Sequence, residues 1–302
     1  MTTTAAPAGI GRRPGIAARG LARVRSFAFS SPTAGIGLAI VLAFVCLAVA
    51  GAFLHGPAYN QNLIETFDPP GTAGHLLGTD ELGRDVLARI TVAVGISLEI
   101  GAASVAIAGV VGVLVGMLAG YFGGWVDDVI MRSVDAVLAI PIVLLALSVL
   151  AVVGGGIRNL ILVIAFTQWM TYARTARAET LALRERDFVR AARAIGVRHP
   201  AILRRHILPH LLPSATALAT LNVSVAILLE AGLSYLGLGV QPPDPSLGSM
   251  LFDGREALFN ASWLAIYPGI ALVALVLGIN LLGDGISLYL DPRHRLIEVK
   301  PL

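Results

Sequence analysis

Lysine is nearly missing from this chain: a single one, Lys300, stands among 302 residues. A loop that cradles the phosphates of ATP needs a lysine directly after its last glycine, so this chain does not hydrolyse ATP by that route. Charge of any sign is scarce, at 14% of residues against 56% hydrophobic, and the mean hydropathy is +0.79. A soluble domain of this size needs far more polar surface, so the bulk solvent is lipid. The one cysteine, Cys46, lies in an apolar run, which excludes a disulfide framework and a thiol cluster for metal. Six histidines (His55, His75, His199, His206, His210, His294) are scattered without an HExxH pattern. His206 and His210 share a helix face but lack a third ligand. No Ser/His/Asp set has an activating context, and no 20–50-residue repeat or matching pair of broken helices points to an inverted-repeat transporter. Glycine, by contrast, is abundant at 33 residues, which suits helices that approach closely in a bilayer.

The apolar runs give an all-α integral membrane protein of about six spans. Thr33 to Phe53 is uninterrupted and long enough to cross a hydrocarbon core of ~30 Å at ~1.5 Å per residue. Arg12, Arg13, Arg19, Arg23 and Arg25 precede it, and its length exceeds the ~7–15 apolar residues of a cleavable signal. It reads as an uncleaved anchor. Further spans fit at 97–121, 130–153, 157–174, 213–236 and 264–287, bounded by charges, glycines or proline. In the fourth, the solidly apolar part is only Leu160 to Phe166, so a five-span reading stays open.

Orientation follows from arginine and lysine, which are retained in the cytoplasm. The N-terminal arm holds five, segment 54–96 two, 122–129 none, 154–158 one, 175–212 eight, 237–263 one and the C-terminal tail three. With six spans the basic segments all fall on one side, which places both termini and the 175–212 loop in the cytoplasm. The chain divides into a cytoplasmic arginine-rich arm (1–32), a first span and the start of an outer loop (33–74), a core of five spans (75–293) and a cytoplasmic tail (294–302).

The basic loop, RDFVRAARAIGVRHPAILRRHILPHLLP from Arg186 to Pro213, describes two short helices with a break. Asp187 can cap the first. Phe188, Ala191, Ala192 and Ile195 then fall on one face beside Arg186, Arg190 and Arg193. Gly196 suits a left-handed cap, and Pro200 suits the first turn of a second helix carrying Ile202, Leu203 and Ile207. An amphipathic helix held between spans can enter a groove on a partner protein or lie on anionic lipid.

The same loop resembles the conserved cytoplasmic loop of ABC importer permeases. There an E-A-A triplet is followed by a glycine and, further on, by an I-x-L-P ending. Ala191, Ala192, Gly196, Leu208 and Pro209 occupy those places at the family spacing. Arg190 stands where the pattern has Glu, and His206 where it has Ile, which leaves a salt bridge from position 190 to an ATPase subunit without its acid. Leu77 to Ile90 (LGTDELGRDVLARI) and Ser234 to Leu251 (SYLGLGVQPPDPSLGSML) resemble segments of the peptide and nickel branch, as do Asp284 and Asp291-Pro292-Arg293. The pattern is that of the second of its two permeases. The resemblance implies a type I importer permease fold with a coupling loop over about 186–210, in which Phe188, Arg190, Ala191, Ala192, Ile195, Gly196, Leu208 and Pro209 meet the ATPase. It implies a homologous second permease, two P-loop ATPase subunits that hold ATP-Mg, and an extracytoplasmic substrate-binding protein. No cofactor, metal or nucleic acid is expected on this chain, and the implied activity is ATP-driven uptake of peptides by alternating access.

Intramembrane acids need a partner or a water-filled path, since a charge at a span's centre costs ~2.5–3.5 kcal/mol on insertion scales. Arg132 and Asp135, three apart, can pair. Glu230 and Asp284 are expected at interfaces. Glu99 is the least explained: it either lines a pore or is hydrated at the outer end of its span. An ion-coupled secondary transporter using Glu99 or Asp135 is the alternative. In segment 77–85, Asp80 and Arg84 read as a turn and ion pair, with Thr79 or Asp80 as the helix cap, rather than as acid/base machinery.

Overall fold

A computed structural model of the chain describes residues 32–290 except 52, 54 and 73. The arginine-rich arm, the Asp291-Pro292-Arg293 segment and the tail with Lys300 lie outside the described residues. Among the described residues the fold is all-helical, with two isolated bridges, Thr72 with His75 and Thr79 with Asp85.

Helix α1 (Pro32–Gly51) begins on a proline, whose fixed φ suits a first turn, and carries no charge. A short α2 (His55–Tyr59) follows. The central helix α3 (Val86–Phe122) has 37 residues and begins well before the expected residue 97. The cap is neither Thr79 nor Asp80: the Asp85 carboxylate accepts the Ala88 N–H at 2.7 Å. Arg89, upstream of that expected start, is 6% exposed because its guanidinium binds Asp80, as does that of Arg84 at 2.7 Å.

The expected straight span at 130–153 is a bent pair. Helices α4 (Gly124–Leu138) and α5 (Ile142–Val153) meet at 88°. Pro141 supplies no N–H and drives the preceding residue out of helical geometry. Next comes α6 (Ile157–Arg184), of 28 residues. Helix α7 (Asp187–Ala194) leads through a turn to α8 (His199–Ile202), a π-turn (Leu203–Ile207) and α9 (Leu208–Tyr235). Helix α10 (Leu247–Glu256) precedes the last, α11 (Trp263–Leu290).

Helices α1, α3, the continuous 199–235 segment and α11 are long and apolar enough to cross a bilayer, and α4 with α5 makes a fifth crossing if the bent pair is one span. The fourth expected span, α6, qualifies by length alone. Its Thr167, Gln168 and Thr180 are buried against the protein, so they need not meet lipid.

The bundle is assembled on α3. Gly112, Gly116 and Gly120 lie one turn apart and face the α6 backbone so closely that a Cβ on Gly116 would stand 2.1 Å from the Ala173 carbonyl oxygen. Small residues bring helices together in this way in membranes. On its other flank α3 joins α11 and α9 through Val94, Ile227, Leu264 and Leu275. Gly37 of α1 lies against the α11 backbone at Leu281 and Leu282.

The two ends of the bundle differ in charge. One carries residues 55–85 and α10, tied by Tyr59 Oη donating to Asp244 at 2.9 Å and Trp263 Nε1 to the Thr79 carbonyl at 3.3 Å. The other carries the α3–α4 turn, the end of α6 and the basic α7 loop.

Candidate functional site

The α7 loop hangs from two long helices. At the end of α6, Arg184 Nη1 donates to the Gly120 carbonyl at 3.0 Å, which fixes where α6 stops relative to α3. Two turns earlier Arg177 grips Asp127 of α4, with an Nη2–Oδ2 distance of 2.5 Å. On the far side of the loop, Tyr121 at the end of α3 hydrogen-bonds His199 Nδ1 at 2.7 Å. The Arg193 guanidinium stacks over the same tyrosine ring, 4.8 Å from its centre. A displacement of the loop is thus delivered to α3, α6 and α9 together.

Asp187 is the first residue of α7 rather than its cap. Arg186 holds the capping position, and no side chain accepts there. Val189 and Ala192 turn inward, at 0% and 6% exposed. This corrects the expected face: Ala192 belongs to the buried side, while Phe188, Ala191 and Ile195, at helical spacing, form an outward apolar ridge. Phe188 is 40% and Ile195 80% exposed. Arg190 projects to solvent on another flank of the helix.

Gly196 ends α7 at φ +80°, where L side chains are strained. Its N–H donates to the Arg193 carbonyl at 3.0 Å and that of Val197 to the Ala192 carbonyl at 3.0 Å, the paired closure of a left-handed cap. Nothing lies within 4 Å of a Cβ built on Gly196; backbone conformation, not space, demands the glycine.

Pro200 sits in the first turn of α8 as expected. The second helix is not separate, however. The π-turn joins α8 to α9 as one rod, with the Leu208 N–H donating to the Leu203 carbonyl. Pro209, lacking an N–H, is accommodated by that wider turn, and it is exposed while Leu208 is half-buried. His206 and His210 face the Phe188 ring, at 6.4 and 5.5 Å between centres; a third ligand is absent, and no metal-holding group of three exists among the described residues.

Of the intramembrane acids, Asp135 pairs with Arg174 of α6 at 2.5 Å rather than with Arg132, and both partners are more than half exposed. Glu230 is fully buried instead of reaching an interface, and it accepts from Ser97 Oγ at 2.9 Å and Ser234 Oγ at 2.8 Å. Asp284 and Glu99 are exposed.

Sequence reasoning missed Tyr121, His199 and Arg193 as the clasp of the loop. Their contact spans 78 residues, and nothing local marks it.

Comparison with known proteins gives one consistent answer. The model of the family described as binding-protein-dependent transport system inner membrane component matches residues 112–296. The chain is 36% identical over 260 residues to the dipeptide transport system permease protein DppC of Alkalihalophilus pseudofirmus, covering 86% of each chain. It is 38% identical over 255 residues to the glutathione transport system permease protein GsiD of Pectobacterium atrosepticum, covering 83% of this chain and 85% of the relative. With GsiD of Escherichia coli it shares 43% identity over 219 residues, 72% of each chain. Among solved structures, a chain of the inward-facing MetNI methionine ABC transporter aligns with a TM-score of 0.53 at 22% identity, covering 66% of this chain and 94% of that one.

Proposed function

This chain belongs to the family of binding-protein-dependent transport system inner membrane components, and from that premise we propose that it is the pore-forming permease of an ATP-driven importer whose cargo is peptides or peptide-like solutes. Relatives of known transport class along most of its length carry dipeptide and glutathione, two compounds built on amide-linked amino acids, which supports the cargo class. The observation that carries the mechanism is the Phe188–Ala191–Ile195 ridge, apolar and exposed on a helix clamped to the ends of three long helices. Exposed apolar side chains in a charged setting fit a groove on a partner.

In this reading the basic end faces the cytoplasm, following the arginine distribution, and α7 is the helix through which this chain couples to an ATPase subunit. The chain itself holds no nucleotide; ATP-Mg binds at two partner ATPases. A second, homologous permease completes the pore, and an extracytoplasmic binding protein delivers cargo to the acidic end. Closure of the ATPase pair pulls α7, and the Tyr121–His199 clasp and the 199–235 rod transmit that pull as rigid-body rotation of the spans. The family assignment favours this over ion coupling, and Asp135, one of the two acids such coupling would use, is engaged by Arg174.

The test is purification of the tagged chain from its native membrane in mild detergent, with mass spectrometry of co-purifying chains and ATP-dependent peptide uptake after reconstitution. Recovery of a second permease and two P-loop ATPases with uptake supports the reading. A chain that elutes alone, and whose vesicles take up peptide on an ion gradient without ATP, overturns it.

A further inference from the structure

At the acidic end, the loop before α3, the first turn of that helix, α10 and the start of α11 surround an open cavity of about 250 Å3. At ~30 Å3 per water molecule, that is room for one amino-acid residue rather than for a whole chain. Four carboxylates line it against one guanidinium. Two of them are answered within the chain: Asp80 by Arg84 and Arg89, and Glu256 by Arg255 at 3.6 Å. Glu81 and Asp253 are exposed and have no cation within ion-pair distance among the described residues. Partial burial raises the Asp253 pKa; Arg89 opposes this and Glu81 adds to it. The chain therefore leaves the charge of these two groups uncompensated.

Acids alone describe a solvated surface, but two further features of the lining point to a ligand. Arg89 is 6% exposed, and its Nε has no acceptor among the described residues, although buried donors ordinarily find one. Part of the wall is apolar: Met250 and Leu264 are 5% and 6% exposed. A simple cation would answer the carboxylates and leave the Arg89 donor as it is; an anion would meet two unpaired carboxylates. A peptide's free amino terminus offers an ammonium group, a carbonyl oxygen that accepts, and a side chain between them. We propose that the cavity is a receiving subsite for the amino-terminal residue of a peptide. Glu81 and Asp253 hold its ammonium group, its first carbonyl accepts from Arg89, and an apolar side chain lies on Met250 and Leu264. This rests on the reading of the cargo as peptides, and it narrows that class to peptides whose amino terminus is free. The arrangement of an apolar wall with a few placed polar groups is that of small-molecule sites in general.

The test measures binding directly, on the tagged chain purified in mild detergent with its co-purifying subunits, without ATP or binding protein. Leucyl-alanine, N-acetyl-leucyl-alanine and isobutylamine are titrated in turn and followed by saturation-transfer NMR. Leucyl-alanine is expected to saturate a site. The acetylated peptide, which lacks the ammonium group, and the amine, which lacks the carbonyl, should each bind at least about tenfold more weakly, having lost a hydrogen bond to a charged group. Glu81→Gln combined with Asp253→Asn should raise the leucyl-alanine Kd by a similar factor at an unchanged melting temperature. Asp284→Asn, which neutralises an exposed acid near the far end of α11, should leave that Kd at the wild-type value. No saturable binding to the wild type, equal affinity for the acetylated peptide, or an unaltered Kd in the double variant overturns the proposal. An amine that binds as tightly as the peptide overturns it too, because the cavity is then a cation site that does not read the carbonyl. If the peptide binds as expected and the reconstituted complex shows no ATP-driven uptake, the importer reading fails and the subsite stands.

Discussion

The acidic and basic ends of the bundle are held by opposite means. At the acidic end, Asp80 is a hub: it accepts the backbone N–H groups of Leu82 and Arg84 at 2.9 Å each and binds the Arg84 and Arg89 guanidiniums. Burial works against that charge most strongly, yet Arg89, Arg84 and the backbone donors hold the Asp80 carboxyl below its ordinary range. At the basic end, Arg186, Arg190, Arg198, Arg204 and Arg205 make no ion pair among the described residues, and the ridge beside them is bare. The buried charge of Asp80 is satisfied within the chain, whereas these five arginines are exposed without an acid from it. That contrast fits a rigid receiving face opposite a face completed by a partner.

The comparison breaks most severely at Asp80. Replacing Asp80 with Ala leaves two guanidiniums without a counter-ion, one of them deeply buried, at a cost of about 3–5 kcal/mol. Hydrogen exchange is expected to rise across residues 62–89, with a lower melting temperature in detergent, while residues 185–200 keep their protection. Equal loosening of both ends would show that they are not independent.

At the basic end, Gly196→Ile is expected to act on coupling rather than on folding. A β-branched residue at φ +80° costs roughly 1–2 kcal/mol locally, enough to unwind the cap that closes α7, while the open space around the glycine prevents any clash. Uptake should fall at least about tenfold, with the amount of protein in the membrane near normal. Uptake at the wild-type rate would remove the cap from the mechanism. A smaller effect is expected from Phe188→Ala: weakened retention of ATPase subunits during purification, by about 1–2 kcal/mol for one aromatic anchor, and an unchanged melting temperature for the isolated chain. If the melting temperature falls instead, Phe188 serves its contacts with His206 and His210 rather than a partner.

What was legible in the sequence was what short-range physics decides. Apolar runs gave the helical membrane fold, and Gly196 and Pro200 marked the cap and the first turn where the structure has them. What escaped depends on residues far apart. The helix was expected to begin near residue 97, yet α3 begins at Val86 and takes in Arg89, whose neutralising partner lies nine residues upstream in a loop that folds back. Asp135 had a local candidate in Arg132 but chose Arg174, 39 residues away. The bend at Pro141 was signalled by the proline itself, yet the apolar run around it outweighed that signal.

The finest test of the contrast is pH. At the acidic end the Asp85 carboxylate, 2.7 Å from His75 Nδ1, is the main cause that raises the His75 pKa; partial burial opposes it and Glu65 adds to it. A group whose folded-state pKa is raised stabilises fully below its unfolded value, about 6.5 for histidine, and loses that contribution as pH rises through the folded value. Asp80, with its pKa lowered, acts in the opposite sense: its contribution is present above about 3.9 and fades as pH falls below that. Between these limits, from about pH 5 to 6.5, the loop of residues 62–85 should be held most tightly. Raising pH to 8 should increase its hydrogen exchange a few-fold after correction for intrinsic rates, and His75→Gln should remove that dependence. The α7 loop should show no matching change, because no histidine–carboxylate ion pair holds it among the described residues. A parallel response at both ends would mean that pH acts through the whole bundle and not through the His75–Asp85 contact.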